Sequence, residues 1–522
     1  MSANVARFTR AASGVAVLAL AAAVVVGSTG TTPPDAAASD VPGGGTLVQV
    51  PPSPTRLVCP GPLVLPEDDG GDDDFDPVPV DPVTSVVVAA TSSGGAEVTT
   101  LDGTDEQATL GTGTDAATVA PADDPLVVLA RPTDERAAVA AAGGSVVSRG
   151  DLRGLAAASC QVATTDAWLV GGSTELGATA LLVLQNPGTT PAVVHLDVFG
   201  PTGQVDLDTE QYLVAPGSER VVVLGGLAPE QRRIAVHVTA TGGRVAAHVQ
   251  DSTLEGFTPT GTELVVPGAP AARRQVLPAV SLPATEVDGA DAGVLRLLAP
   301  GGGAATARVR LLGPDGVQDL PGAEALELPP GTVTDVPLGG LPAGAYTFVV
   351  DADRPVVAGA MLLREGDPTE QDPTVPTSER GWIASVATSG GMVAVPDGAA
   401  GSLILGAVAA QDDLAADAEA RVGATLRLVG TDGSTVARTH VEVRTGRTDR
   451  WTVADLAPAG AVVAGVQVVP DDADGAGGTW LATGLVAGVP QSDGTLLSVL
   501  VPAQQPDVAD GVVVRQDPRL GS

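Results

Sequence analysis

Gly200-Pro201-Thr202-Gly203, Gly313-Pro314-Asp315-Gly316 and Gly430-Thr431-Asp432-Gly433 fall 113 and 117 residues apart. Each follows a short apolar run of strand character. The flanks repeat as well: Ala215-Pro216-Gly217 leads into Val221 and Leu227 as Pro329-Pro330-Gly331 leads into Val333 and Leu341. Both phrases end Leu-Gly-Gly-Leu, at residues 224–227 and 338–341. Between the turns the pattern has period two. In 192–199, Val194, Leu196 and Val198 share one face, and His195 and Asp197 take the other. Asn186-Pro187-Gly188 and Thr241-Gly242-Gly243 supply turn chemistry between such runs.

Short strands with turns every 8–12 residues or so predict an all-β chain of tandem immunoglobulin-like β-sandwich repeats. The alternative is a β-propeller in which each repeat supplies two blades, although blade periods of roughly 40–50 residues are not apparent. The first repeat is expected over 166–256, the second over 257–366 and the third over 367–522. A β unit over 57–165 precedes them, with strands at 84–90, 96–101, 126–130 and 144–148 and a helical turn at 134–142. It reads as a degenerate or incomplete copy. The joints 253–291 and 366–400 each hold a further strand, and an Ala/Asp/Glu-rich insertion at 409–420 reads as a short surface helix.

Composition excludes much. The chain has 522 residues, long enough for several cores, with 2% aromatics, so its interiors are built from Ala, Val and Leu. It contains no Lys and only two Asn, Asn4 and Asn186, a bias expected of a very GC-rich genome. Without Lys there is no P-loop, Schiff base or Ser-Lys dyad. A formal charge of −35 leaves no broad basic field, so nucleic acid is not an expected partner.

Arg7 and Arg10 precede an uncharged apolar run from Ala11 to Val26, the n-region and h-region of an export signal. Residues 1–30 are expected to be a signal peptide or a retained membrane anchor, and 31–56 a Pro/Thr-rich stalk. The expected location is therefore the outer face of the membrane, or secretion. In that compartment the only cysteines, Cys59 and Cys160, are expected to form a disulfide.

No catalytic, cofactor-binding or metal set stands out. The four His (His195, His237, His248 and His440) all fall on the polar face of their strands, and exposed imidazoles are the expectation. A surface metal site of His195, His237 and His248 is the sharper alternative. The acidic tract 67–76, and Asp471, Asp472 and Asp474 with Gly475, resemble calcium loops without the spacing of an EF-hand. Of the four Trp, Trp168, Trp382 and Trp480 open repeats or strands, where core anchoring is the expected role. A sugar platform would need an exposed Trp, with Trp382 or Trp451 as the candidates. Arg149-Gly150-Asp151 is a triplet expected by chance.

The stretch Gly150-Asp151-Leu152-Arg153-Gly154-Leu155-Ala156-Ala157-Ala158-Ser159-Cys160 is followed by Trp168-Leu169-Val170-Gly171-Gly172 and then by Leu182-Val183-Leu184-Gln185-Asn186-Pro187. Together they resemble an uncharacterised family of large exported actinobacterial proteins that carries a domain-of-unknown-function label. The resemblance covers most of the chain from about Leu57. It implies one N-terminal membrane or secretion segment and an extracellular body, and it implies no activity. The expected role is a non-catalytic scaffold whose partners are envelope proteins; the alternative is binding of cell-wall polymer.

Overall fold

The computed structural model describes residues 52–65, 78–133, 136–287, 292–368, 373–409, 419–471 and 478–503. It also describes the backbone of strands Asp40–Val41, Gly45–Gln49 and Gly511–Val514. The expected signal segment, most of the stalk, the acidic tract 67–76 and the heart of the 409–420 insertion lie outside these residues. Residues 1–52 and 507–522 form one unit. Its strand Gly45–Gln49, placed in the expected stalk, pairs antiparallel with Asp40–Val41 and with Gly511–Val514.

Residues 53–506 form the other unit, and it is all β-sandwich. The first repeat shows the plan. One sheet runs in the order Asp166–Val170, Ala235–Thr241, Ala192–Gly200, Gly203–Val205. The facing sheet runs Ser218–Val223, Ala178–Asn186, Ala246–Glu255, Thr258–Val265. The chain crosses between the two sheets several times, so neither sheet is the sequential meander of a propeller blade. Val194, Leu196 and Val198 point into the core between the sheets, as their period-two spacing predicts.

The N-terminal unit is complete, against expectation. Its sheets, Thr55–Val58, Leu126–Ala130, Ala96–Thr100, Glu106–Leu110 and Gly113–Val119, Val83–Ser93, Ala138–Val147, Gly154–Ser159, reproduce the same order. The helical turn expected at 134–142 gives way to the strand Ala138–Val147. Its Ala and Gly residues lie between two packed partners and are buried on both faces, which erases any alternation. In the second repeat a 25-residue strand, Gly344–Pro368, passes from one sheet to the other and joins them. The third repeat again pairs two four-stranded sheets.

The joint strands close sandwiches rather than link them. We label the four closing strands β1 (Gly154–Ser159), β2 (Thr258–Val265), β3 (Pro376–Ala384) and β4 (Gly494–Leu500). Each is the edge strand of its own sheet. β2, expected to open the second repeat, pairs with Ala246–Glu255 and so belongs to the first.

The sandwiches touch in cyclic order. Val58, Leu101 and Val127 of the N-terminal sandwich meet Ala246 of the first repeat. Trp168, Val170, Phe199 and Ala235 of the first meet Leu298, Val333 and Val357 of the second. Ile404, Leu497 and Val499 of the third enter the core of the second. Val87, Ala89, Leu155 and Ala157 of the N-terminal sandwich join the core of the third, which returns the order to its start. Burying a large apolar side chain contributes about 1.5–3 kcal/mol, so each contact is substantial.

Cys59 follows the first strand of the N-terminal sandwich and Cys160 follows its last, and the two form the expected disulfide. Beside it, Val58 and Gln161 exchange backbone hydrogen bonds of 2.7 and 2.8 Å. Replacing both cysteines by serine is expected to lower the stability of this sandwich by about 4–5 kcal/mol, the closure value for a ring of roughly 100 residues. Denaturant midpoints of the two proteins measure it, and equal midpoints would show that closing this ring contributes nothing to stability.

Candidate functional site

The four closing strands converge. β1 packs against β2, β2 against β3, β3 against β4 and β4 against β1. Glycine permits the approach. A Cβ at Gly154 would lie 2.6 Å from the carbonyl oxygen of Thr262. One at Gly261, where φ is +101°, would lie 2.7 Å from the amide nitrogen of Arg380. No other residue type tolerates both the conformation and the contact at Gly261.

Charged side chains fill the junction. Arg153, immediately before β1, is 1% exposed. Its Nη1 donates to Glu379 Oε1 of β3, and its Nε donates to Asp493 Oδ2 at 3.0 Å, beside β4. Glu263 of β2 is also buried. Its Oε1 accepts from the Leu264 amide at 2.8 Å, from Ser498 Oγ of β4 at 3.1 Å and from the Ala157 amide of β1 at 3.3 Å. Thus one side chain touches strands from three sandwiches. Asp251, on the strand next to β2, accepts from Trp382 Nε1 at 2.8 Å and Arg380 Nη1 at 3.1 Å, both on β3. Arg296 sits over the Trp382 ring at 4.9 Å. It forms a bidentate pair with Asp335 at 2.8 and 3.0 Å, and its Nη1 donates to the Gly172 carbonyl of the first repeat at 2.6 Å.

Burial dominates the proton equilibria here. It pushes the Glu379 carboxyl up to about 8, against the pull of Arg153 and with a further push from Asp493. Glu263 is raised well above the carboxylate range by burial, which outweighs its three donors. Both carboxyls are sealed between strands. A small crevice nearby is lined by apolar side chains such as Val170, Val265 and Ile383, with Trp382. As arranged, the junction can fasten sandwiches together by directional, desolvated contacts.

The histidines divide. His195 and His237 flank Asp197 on the outer face of the first repeat, at 3.6 and 3.5 Å, and His237 also approaches Asp166 at 3.3 Å. The His237 ring stacks on Trp168 with centroids 4.0 Å apart. His248 lies on the other sheet and is 8% exposed, contrary to the expectation of an open imidazole. It faces away from its own core, but the N-terminal sandwich covers that face, as the paired hydrogen bonds of Gln250 with Val64 at 2.9 Å show two residues on. The three therefore do not form one set, and among the described residues no three His, Cys, Asp or Glu side chains form a metal site. His440 pairs with Asp471 at 2.8 Å on the surface. Asp472, Asp474 and Gly475 lie outside the described residues.

Trp168 is buried at the contact of the first and second repeats, in line with the anchoring expectation. Trp382 is buried at the junction, and Trp451 and Trp480 are half-buried. Trp382 is thus unavailable as a sugar platform. Reading the sequence missed Arg153, Asp251, Glu263, Arg296, Glu379 and Arg380. The available signal was a lone charge inside an apolar strand, as in the Val294–Leu298 run around Arg296.

A family model described as "Family of unknown function (DUF5719)" matches residues 111–454, well over half of the chain. No curated protein matches. A solved structure titled "Crystal Structure of Thermotoga maritima 1070" is 17% identical and covers 22% of this chain and 93% of that one. Its TM-score of 0.18 carries no argument about the fold.

Burial holds the His248 imidazole down at about 4, so it is neutral in the folded protein near pH 6. The unfolded chain takes up that proton near pH 6.5. Stability from this group is therefore complete above about pH 6.5 and is lost as pH falls toward 4, by up to roughly 3 kcal/mol. His248→Gln is expected to lose less stability than wild type between pH 7 and pH 4.5, measured by denaturant midpoints; parallel losses would show that His248 is accessible to solvent.

Proposed function

The chain belongs to the DUF5719 family, whose function is unknown, and we propose that it is a non-catalytic scaffold or interaction protein of the cell envelope. Its station is outside the cell, either held by residues 1–30 at the membrane or released. The observation that carries this reading is where the chain places its polar and aromatic anchors. Arg153, Glu263, Glu379, Trp168 and Trp382 are buried in contacts between sandwiches. Their chemistry is directed inward, to holding four sandwich faces in fixed relation.

The disulfide supports the oxidising side of the membrane. So do Arg7 and Arg10 ahead of the apolar run that ends at Val26. Among the described residues no helix is long and apolar enough to cross a membrane. Charge supports a protein partner over a polyanionic one, because a body at −35 repels teichoic-type polymers and anionic lipid alike.

The surface offers contact area unevenly. Among the described residues ten large hydrophobic side chains are prominently exposed, and six of them belong to the first repeat: Leu176, Val193, Leu213, Val221, Val223 and Phe257. Val193 and Leu213 are direct cross-strand neighbours. Exposed apolar pairs of this kind are favoured places for a protein contact.

The full-length chain is expected to be retained by envelope fragments that keep their proteins and not by wall polymer stripped of protein. Val193→Ser with Leu213→Ser is expected to reduce that retention severalfold. Equal retention on stripped wall would establish polysaccharide binding instead, with Trp451 and Trp480 the side chains to replace next.

A further inference from the structure

The charges at the junction do not balance in pairs. Asp251 has Arg380 and the Trp382 indole; Glu379 and Asp493 share Arg153. Arg364, opposite Glu379 on the neighbouring strand, turns its guanidinium to the backbone and hydroxyl oxygens of Ser281, both at 3.1 Å. Glu263 receives two amides and a hydroxyl, all neutral donors. It also stands directly across the strand pair from Asp251. Two carboxylates facing each other in a cross-strand pair repel, and burial magnifies the repulsion. One oxygen of each, Glu263 Oε2 and Asp251 Oδ1, is buried without a hydrogen-bond partner.

We propose that the junction is an alkali-sensitive latch, in which a proton carried by the Glu263 carboxyl lets the four closing strands stay packed, and its loss drives them apart. Every element around Glu263 contributes to the argument. β1 brings Arg153 and the Ala157 amide, and β3 brings Glu379 and Arg380. β4 and its turn bring Ser498 and Asp493, and the adjacent strand brings Asp251. The cations in this set are engaged by other carboxylates, so ionised Glu263 would meet Asp251 and Glu379 with neutral donors alone.

The sign is fixed. A carboxyl whose proton is held more tightly in the folded state stabilises the fold at low pH and loses that contribution as pH rises through its folded value. Glu379, raised to about 8, acts in the same direction. Few other groups interfere. The chain has no Lys, both Cys are in the disulfide, and burial raises the two tyrosines, Tyr212 and Tyr346, above 10. Burial lowers the His248 imidazole, and His440, raised by its hydrogen bond to Asp471, lies on the surface away from the junction.

The test is limited proteolysis of the full-length oxidised chain at pH 6, 7.5, 9 and 10, with the rate corrected against a denatured substrate at each pH. Cleavage between sandwiches is expected to accelerate at least tenfold from pH 7.5 to pH 10. Glu263→Gln, an uncharged mimic of the protonated side chain, is expected to remove most of that acceleration while matching wild type at pH 6. Should Glu263→Gln fail to fold, Asp251→Asn, which keeps an acceptor for Trp382, is expected to shrink the acceleration as well. A wild-type rate that stays flat from pH 6 to pH 10 would overturn the latch. So would an acceleration that persists undiminished in whichever variant folds.

Discussion

Close approach of four edge strands is the constraint on which the architecture depends. An edge strand normally exposes a row of unpaired amides and carbonyls, which invites association with other chains. In this protein the closing edge of each sandwich is covered by the closing edges of two others. The cover requires side chains small enough for backbones to meet, and β1, with the sequence Gly-Leu-Ala-Ala-Ala-Ser, is buried at all six positions. Gly261 supplies a backbone conformation that brings β2 against Arg380 of β3. The cyclic order of the sandwiches follows, because each must present its last strand to a common centre.

Apolar packing alone would leave that centre unspecific, since four alanine-rich strands can slide past one another. The buried polar side chains define the register. Arg153 must find Glu379 and Asp493, Ser498 must find Glu263, and Trp382 must find Asp251. Removing one member of such a set leaves a desolvated partner, so an incorrect register is penalised more heavily than the correct one is rewarded. The same economy explains the composition: Arg, with its planar fork, is the only long cation in the chain, and Arg296 uses the fork on Asp335.

Much of the fold was legible. The three Gly-x-x-Gly turns marked the repeats, and Val294–Leu298 and the strand around Val194, Leu196 and Val198 fell where period two placed them. The hidden parts share one physical cause. Strands buried on both faces, such as β1 and Ala138–Val147, lose the alternation by which a strand is recognised. The N-terminal sandwich therefore looked incomplete although its eight strands repeat the order of the others. The candidate site was less legible still. His248 looked solvated because alternation tells which side of a sheet a residue occupies and not what covers that side. Glu263 and Asp251 are neighbours only through a pairing between strands, and Arg153 meets Glu379 across 226 positions.

The return of the third repeat to the N-terminal sandwich carries a consequence for the order of folding. Ser498 Oγ donates to the Ala157 carbonyl across 341 positions, and Thr91 Oγ1 donates to Gln467 Oε1 across 376. A chain made from its N-terminus completes the first sandwich early, yet the face bearing Val87, Ala89 and Leu155 has no cover until nearly the whole polypeptide has emerged. During that interval an apolar sheet and an unsatisfied arginine stand open to solvent and to neighbouring chains. Biogenesis, more than the finished molecule, is where exposed apolar surface opens this protein to aggregation.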